Sequence, residues 1–187
     1  MGTWIDWGGL RNPVLALEDW SLKDACVYHH EGLFHIFTSA FSEARSTVAH
    51  VTTPDWHRFS DFLLHLTGEA LEATGVCSPS ILHVDGQFVL TFNTWGQGTH
   101  NQLYAMTTRD FVDWSDIQPV AANLTRGKRC IDLALTYHAD RWIGVWREGA
   151  NTTRFAACET LGGDWAWIGD GVGTLRAADG SDGTGVE

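Results

Sequence analysis

Asp24-Ala25-Cys26-Val27-Tyr28-His29-His30-Glu31-Gly32-Leu33-Phe34 is the stretch that decides the fold, because its pattern returns twice. It recurs 54 residues later as Ser78-Pro79-Ser80-Ile81-Leu82-His83-Val84-Asp85-Gly86-Gln87-Phe88, and after another 54 as Asp132-Leu133-Ala134-Leu135-Thr136-Tyr137-His138-Ala139-Asp140-Arg141-Trp142. Each copy reads as a short apolar strand, a tight turn and a second strand that opens with an aromatic residue. The turns are expected at Glu31-Gly32, Asp85-Gly86 and Asp140-Arg141, the first two carrying the acidic-Gly hairpin signal. Third strands follow over Ser46 to Thr52, Asn101 to Thr107 and Thr152 to Cys158, and a fourth is implied after Thr52-Thr53-Pro54-Asp55-Trp56 and after Thr107-Thr108-Arg109-Asp110-Phe111.

Four antiparallel strands per repeat of about 50 residues predict an all-β chain built as a β-propeller of four-stranded antiparallel blades. A β-sandwich would also alternate strands and turns, but would not repeat three times in one register. The expected blades cover 20–72, 73–127 and 128–176, with 177–187 beginning a further one, all within a single partial domain over 1–187. Usual rings hold roughly four to eight blades, so the chain reads as truncated.

Composition agrees with this reading. Ten Trp, nine Phe and 20 Gly against four Pro favour strands and tight turns. A 44% hydrophobic and 19% charged chain has a packed core. Twelve Lys and Arg against 23 Asp and Glu leave a net charge of −11, which excludes a basic stripe for nucleic acid. The apolar runs are too short to span a membrane. The N-terminus lacks a basic start followed by an apolar stretch, so a cytoplasmic location is expected, or secretion if that end was processed or misassigned. Cys26, Cys77, Cys130 and Cys158 contain no C-x-x-C pair and read as reduced, buried thiols.

The first strand of each propeller blade lines the central channel, so the residue that opens it faces the channel mouth. Those residues are Asp24, Ser78 and Asp132, and one more period falls beside Glu187. Antiparallel pairing sets Ser39, Asn93 and Arg147 beside them, with Phe41, Trp95 and Glu148 just beyond on the same rim. Separated carboxylates, an Arg and exposed aromatics suit a carbohydrate: the acids perform proton transfer and the rings stack on sugar faces. Catalytic candidates are therefore Asp24, Asp132 and Glu187. Substrate-binding candidates are Ser78, Asn93, Trp95, Arg147 and Phe41, with no metal ligand among them.

From Asn12 onward the chain resembles the five-bladed propellers of glycoside hydrolase family 43 and its relatives. The resemblance rests on Asn12-Pro13-Val14-Leu15, Lys23-Asp24-Ala25 and Gly32-Leu33-Phe34-His35-Ile36-Phe37-Thr38-Ser39. It continues through Gly75-Val76-Cys77-Ser78-Pro79-Ser80-Ile81, Asp85-Gly86-Gln87-Phe88 and Cys130-Ile131-Asp132. It implies inverting hydrolysis of α-L-arabinofuranosyl or β-D-xylosyl linkages. Asp24 would be the general base, Asp132 the residue that orients and tunes the acid, and Glu187 the general acid. No cofactor is implied beyond room for a structural calcium in the central channel. The chain departs from the family at Ala25 and Leu133, where Pro is usual, and it ends at Glu187 before the segment that normally follows the acid.

Competing readings stay open. Asp24 and Asp132 could cap turns, or the rim aromatics could serve a non-catalytic carbohydrate- or protein-binding propeller. A fructosyl-processing propeller would need Arg-Asp-Pro and Glu-Cys segments that are absent. Ser78 lacks the Gly-x-Ser-x-Gly surroundings of a nucleophile. His29, His83 and His138 sit near hairpin turns and read as structural, as do Asp55-Trp56, Asp113-Trp114 and Asp164-Trp165 at blade edges.

Overall fold

A computed structural model of the protein describes residues 5–96, 101–173, 175–176 and 182–183. Three four-stranded antiparallel sheets follow one another along the chain, each with its strands in sequence order. The first holds β1 (Ser21–His30), β2 (Leu33–Phe41), β3 (Ser46–Thr53) and β4 (Leu64–Leu66). The second holds β5 (Gly75–Val84), β6 (Gln87–Trp95), β7 (Leu103–Thr108) and β8 (Gln118–Pro119). The third holds β9 (Cys130–His138), β10 (Arg141–Glu148), β11 (Thr152–Cys158) and β12 (Ala166–Val172). These are the blades of a partial β-propeller. A short pair, β13 (Leu175–Arg176) and β14 (Asp182–Gly183), follows. No described helix is long and apolar enough to cross a membrane.

Tight turns set the register of each first hairpin. Glu31 and Gly32 have φ of 48° and 83°, and Asp85 and Gly86 have 50° and 73°, the doubly left-handed geometry that matches strand twist. In the third blade the left-handed pair is Ala139 and Asp140, with φ of 48° and 57°. The expected Asp140-Arg141 turn is therefore corrected by one residue, because Arg141 already pairs with His138 in the ladder. Ala139 has no side-chain hydrogen bond to offset this geometry, and Asp140 adopts it less readily than glycine. The double replacement Ala139→Asn with Asp140→Gly is expected to stabilise the protein by about 1 kcal/mol, read from urea denaturation midpoints.

Alternation along β6 shows how the blades join. Phe88, Leu90 and Phe92 are buried against the first blade, in a cluster with Phe37, Val48, Val76 and Phe111. Val89 turns the other way, into a cluster with Leu103, Leu133, Trp146 and Trp165. β6 is thus buried on both faces, because a blade lies on each side. At the outer edges, one hydrogen-bonded loop occurs twice. Asp55 Oδ1 accepts the His57 and Arg58 N–H groups, as Asp110 Oδ1 accepts those of Val112 and Asp113. The Ser60 and Ser115 hydroxyls accept the Thr52 and Thr107 N–H groups, each at 2.9 Å. Trp114 and Trp165 pack into the two clusters, in keeping with a structural role for the Asp-Trp pairs. All four cysteines are free, Cys26 half-buried and the others buried.

Candidate active site

The residues expected at the mouth share a backbone feature that sequence does not display. Between Lys23↔Ser39 and Cys26↔Phe37 the ladder slips, so that Asp24 and Ala25 together oppose Thr38 alone. Ser78-Pro79 bulge in the same way opposite Phe92, and Asp132-Leu133 opposite Trp146. The first residue of each bulge is left-handed, with φ of 54° at Asp24, 55° at Ser78 and 60° at Asp132. Non-glycine residues in this region carry strain of about 1–3 kcal/mol each, and bulges re-aim the side chains they hold. The same strained device at three equivalent positions marks this end of the blades as the place where side-chain direction is controlled.

Both carboxylates are part-exposed and paired with a cation. Asp24 Oδ2 lies 3.4 Å from Lys23 Nζ, and Asp132 Oδ2 lies 3.1 Å from Arg147 Nη2. Ser39, fully buried, donates its hydroxyl to Asp24 Oδ2 at 3.2 Å and accepts the Ser78 N–H at 2.8 Å. Lys23 also sits over the Phe41 ring at 5.1 Å, and Phe41 meets Trp95 edge to face at 5.8 Å. The two rim aromatics of the first and second blades therefore form one half-buried apolar surface beside Asp24.

Asn93 does not take the place expected of it. It is fully buried, its Oδ1 accepts the Asp132 N–H at 3.0 Å, and its amide nitrogen donates to Thr94 O. Asn93 therefore lies beneath the mouth and not on its exposed rim, with its oxygen turned to the third blade and its amide hydrogens spent within the second. Ser78 is half-buried with its hydroxyl 3.8 Å from Cys77 Sγ. Burial pushes the Cys77 thiol up, which keeps it protonated and unreactive. Burial also raises the Glu148 carboxyl, but Arg154 at 2.7 Å and Lys128 at 3.0 Å outweigh it and hold the group below its ordinary value. Glu148 is thus an ionised brace for the third blade. Glu187 lies outside the described residues.

One cation at the mouth went unread in the sequence. Lys23, adjacent to Asp24, is the cation at the first carboxylate, and its position in the strand was the only available signal. Arg147 has a buried Nε without a partner, while its Nη2 turns back to Asp132. Among the described residues, no three His, Cys, Asp or Glu side chains are grouped so that they could hold a metal ion. Two surface hollows, of about 410 and 370 Å³, lie on blade edges and not at the mouth. Thr107–Asp110 and Trp114 line the first, and Val14–Leu17 with Phe59–Phe62 the second.

No protein-family model matches the chain, and no curated protein matches it by sequence. Solved structures do match. A family 117 glycoside hydrolase from Zobellia galactanivorans superposes with a TM-score of 0.64 at 11% identity, over 81% of this chain and 56% of that one. An α-L-arabinofuranosidase from Fusarium graminearum gives 0.60 at 16%, over 87% and 51%. A xylan β-1,4-xylosidase from Bacillus halodurans gives 0.61 at 14%, over 81% and 31%. The chain spans about half the length of the first two and a third of the last. At these identities the likeness establishes the fold alone: three blades of the propeller on which these glycoside hydrolases are built.

Proposed function

We propose that the chain carries part of a glycoside hydrolase site acting on α-L-arabinofuranosyl or β-D-xylosyl linkages. The observation that carries this reading is the delivery of Asp24 and Asp132 by equivalent strained bulges to the same end of the first and third blades, with a joined aromatic surface beside Asp24. In the proposed inverting reaction, the Asp24 carboxylate takes a proton from water as the water attacks the anomeric carbon. Glu187 protonates the departing glycosidic oxygen, and Asp132, held by Arg147, orients that acid. Trp95 and Phe41 present the surface against which a sugar face packs, and Ser78 and Arg147 supply polar contacts at the rim. The arabinofuranosidase and xylosidase among the matched structures support this choice of sugars.

The test uses 4-nitrophenyl α-L-arabinofuranoside and 4-nitrophenyl β-D-xyloside, with the anomer of the first-formed sugar read by NMR. Asp24→Asn and Asp132→Asn are each expected to lower turnover by about 10²- to 10⁴-fold while unfolding as the parent does. Unchanged turnover in both variants would sink the proposal. The pairing of both carboxylates with cations favours a second reading, a propeller that binds carbohydrate without cleaving it. That reading predicts that Trp95→Ala loses binding to arabinan or xylan while Asp24→Asn retains it.

A further inference from the structure

The mouth bulges create a problem that the ladder cannot solve. A bulged residue loses its regular cross-strand partner, so the N–H groups of Ser78 and Asp132 need another acceptor. Each finds it in the preceding blade, on the same register position of the second strand. Ser39, on β2, accepts from Ser78 on β5, and Asn93, on β6, accepts from Asp132 on β9. The two sequence separations are the same, 39 residues, so the joint repeats with the blade. Both acceptors are fully buried, and both have their donor hydrogens engaged. Ser39 spends its proton on Asp24 Oδ2, and Asn93 spends its amide hydrogens on Thr94 O and Cys77 Sγ.

The third copy carries different chemistry at this position. Arg147 occupies the corresponding place on β10, and a guanidinium has donors but no acceptor. It therefore cannot hold an N–H as Ser39 and Asn93 do, and it binds the Asp132 carboxylate instead.

We propose that Ser39 and Asn93 are positioning residues, each clamping the left-handed mouth bulge of the next blade through its backbone N–H. Ser39 additionally orients the Asp24 carboxylate, so that one hydroxyl couples the first blade's acid to the second blade's bulge. The catalytic part of this assignment rests on the hydrolase reading above, whereas the clamp does not.

The experiment separates the two. Amide exchange is measured on the ¹⁵N-labelled full chain. In Ser39→Ala, exchange at Ser78 is expected to rise about tenfold or more with Asp132 unchanged, and in Asn93→Leu the reverse. Ser39→Thr and Asn93→Ser, which keep an acceptor oxygen together with a donor hydrogen, are expected to retain protection, and they preserve the comparison if a removal variant does not fold. Exchange at Ser78 and Asp132 that is the same in parent and removal variants, or lost equally in the acceptor-keeping variants, overturns the clamp. On the aryl glycosides, Ser39→Ala is expected to lower kcat about 10- to 100-fold with KM nearly constant, and Ser39→Thr to restore it. Faster exchange with an unchanged kcat overturns the orienting role of Ser39. A parent protein that hydrolyses neither glycoside counts against the hydrolase reading, and the exchange data then decide the clamp by themselves.

Discussion

Trp146→Ala is expected to lower the stability of the protein by about 3–5 kcal/mol, the largest effect of any single truncation proposed here. Trp146 is 1% exposed and stands opposite the Asp132-Leu133 bulge, at the joint between the second and third blades. It packs with Leu133, Leu103 and Trp165, and its ring lies 5.6 Å from that of Trp167. Removing it takes away the largest fully buried side chain among the described residues and leaves a cavity beneath a strained bulge. The positions facing the other two bulges are Thr38 and Phe92, so the load carried by an indole in the third blade is carried elsewhere by smaller groups. Trp146→Phe fills much of the same space and is expected to lose less than half as much. Urea denaturation at neutral pH checks both. Equal losses in the two variants would show that the indole's size is not what the joint uses.

Acid is expected to destabilise the protein through two histidines that take no part in the proposed chemistry. His35 Nδ1 and His50 Nε2 are 3.1 Å apart in the core of the first blade, and His50 lies flat against Phe37, with ring centroids 4.2 Å apart. Burial pulls His35 down to about 4, helped by the nearby His30, and pulls His50 down to about 3, helped by His35. Both values lie below the ordinary 6.5 that the unfolded chain retains. The unfolded chain therefore takes up protons that the folded one refuses. Stability is complete above about pH 6.5 and falls as the pH drops from there towards 4. The loss is about 1.4 kcal/mol per pH unit for a fully buried ring, and less for His35, whose charge would be partly screened by solvent and by Glu31. Asp55, held at about 2 by the His57 N–H and the Arg58 side chain, titrates below this window. Melting temperatures between pH 7 and 4 should fall steeply in the parent and much less in a His35→Phe, His50→Phe double variant. The same slope in both proteins would assign the acid sensitivity elsewhere.

The blades were legible in the sequence because a repeat reports itself through spacing. The Glu31-Gly32 and Asp85-Gly86 turns fixed two hairpins to the residue. The third slipped by one because Ala139-Asp140 adopts the left-handed turn without the glycine that announces it. The mouth was legible as a set of positions, and Asp24, Ser78 and Asp132 share the geometry that equivalence demanded. Their left-handed backbone was not legible, since Ser78 and Asp132 are held there by acceptors 39 residues away and a local pattern has no access to such partners. For the same reason Asn93 read as a rim residue, although its amide oxygen turns inward to the next blade's Asp132 N–H. The His35–His50 pair was missed because two polar residues on neighbouring strands look like solvent-facing alternation. Only the cross-strand register, with Phe37 opposite His50, and the second blade behind it reveal that both rings are inside.

The clamps at Ser39 and Asn93 also bear on how such a protein could arise and be re-engineered. Copying one 54-residue segment copies a bulge together with the brace for somebody else's bulge, so the inherited unit and the working unit are out of phase by a blade. Recombination at blade boundaries would keep every sheet intact and yet separate each mouth residue from the side chain that fixes it. Crossovers placed within the first hairpin, after the bulge and before the end of the second strand, would divide the sheet but move each brace together with the bulge it serves.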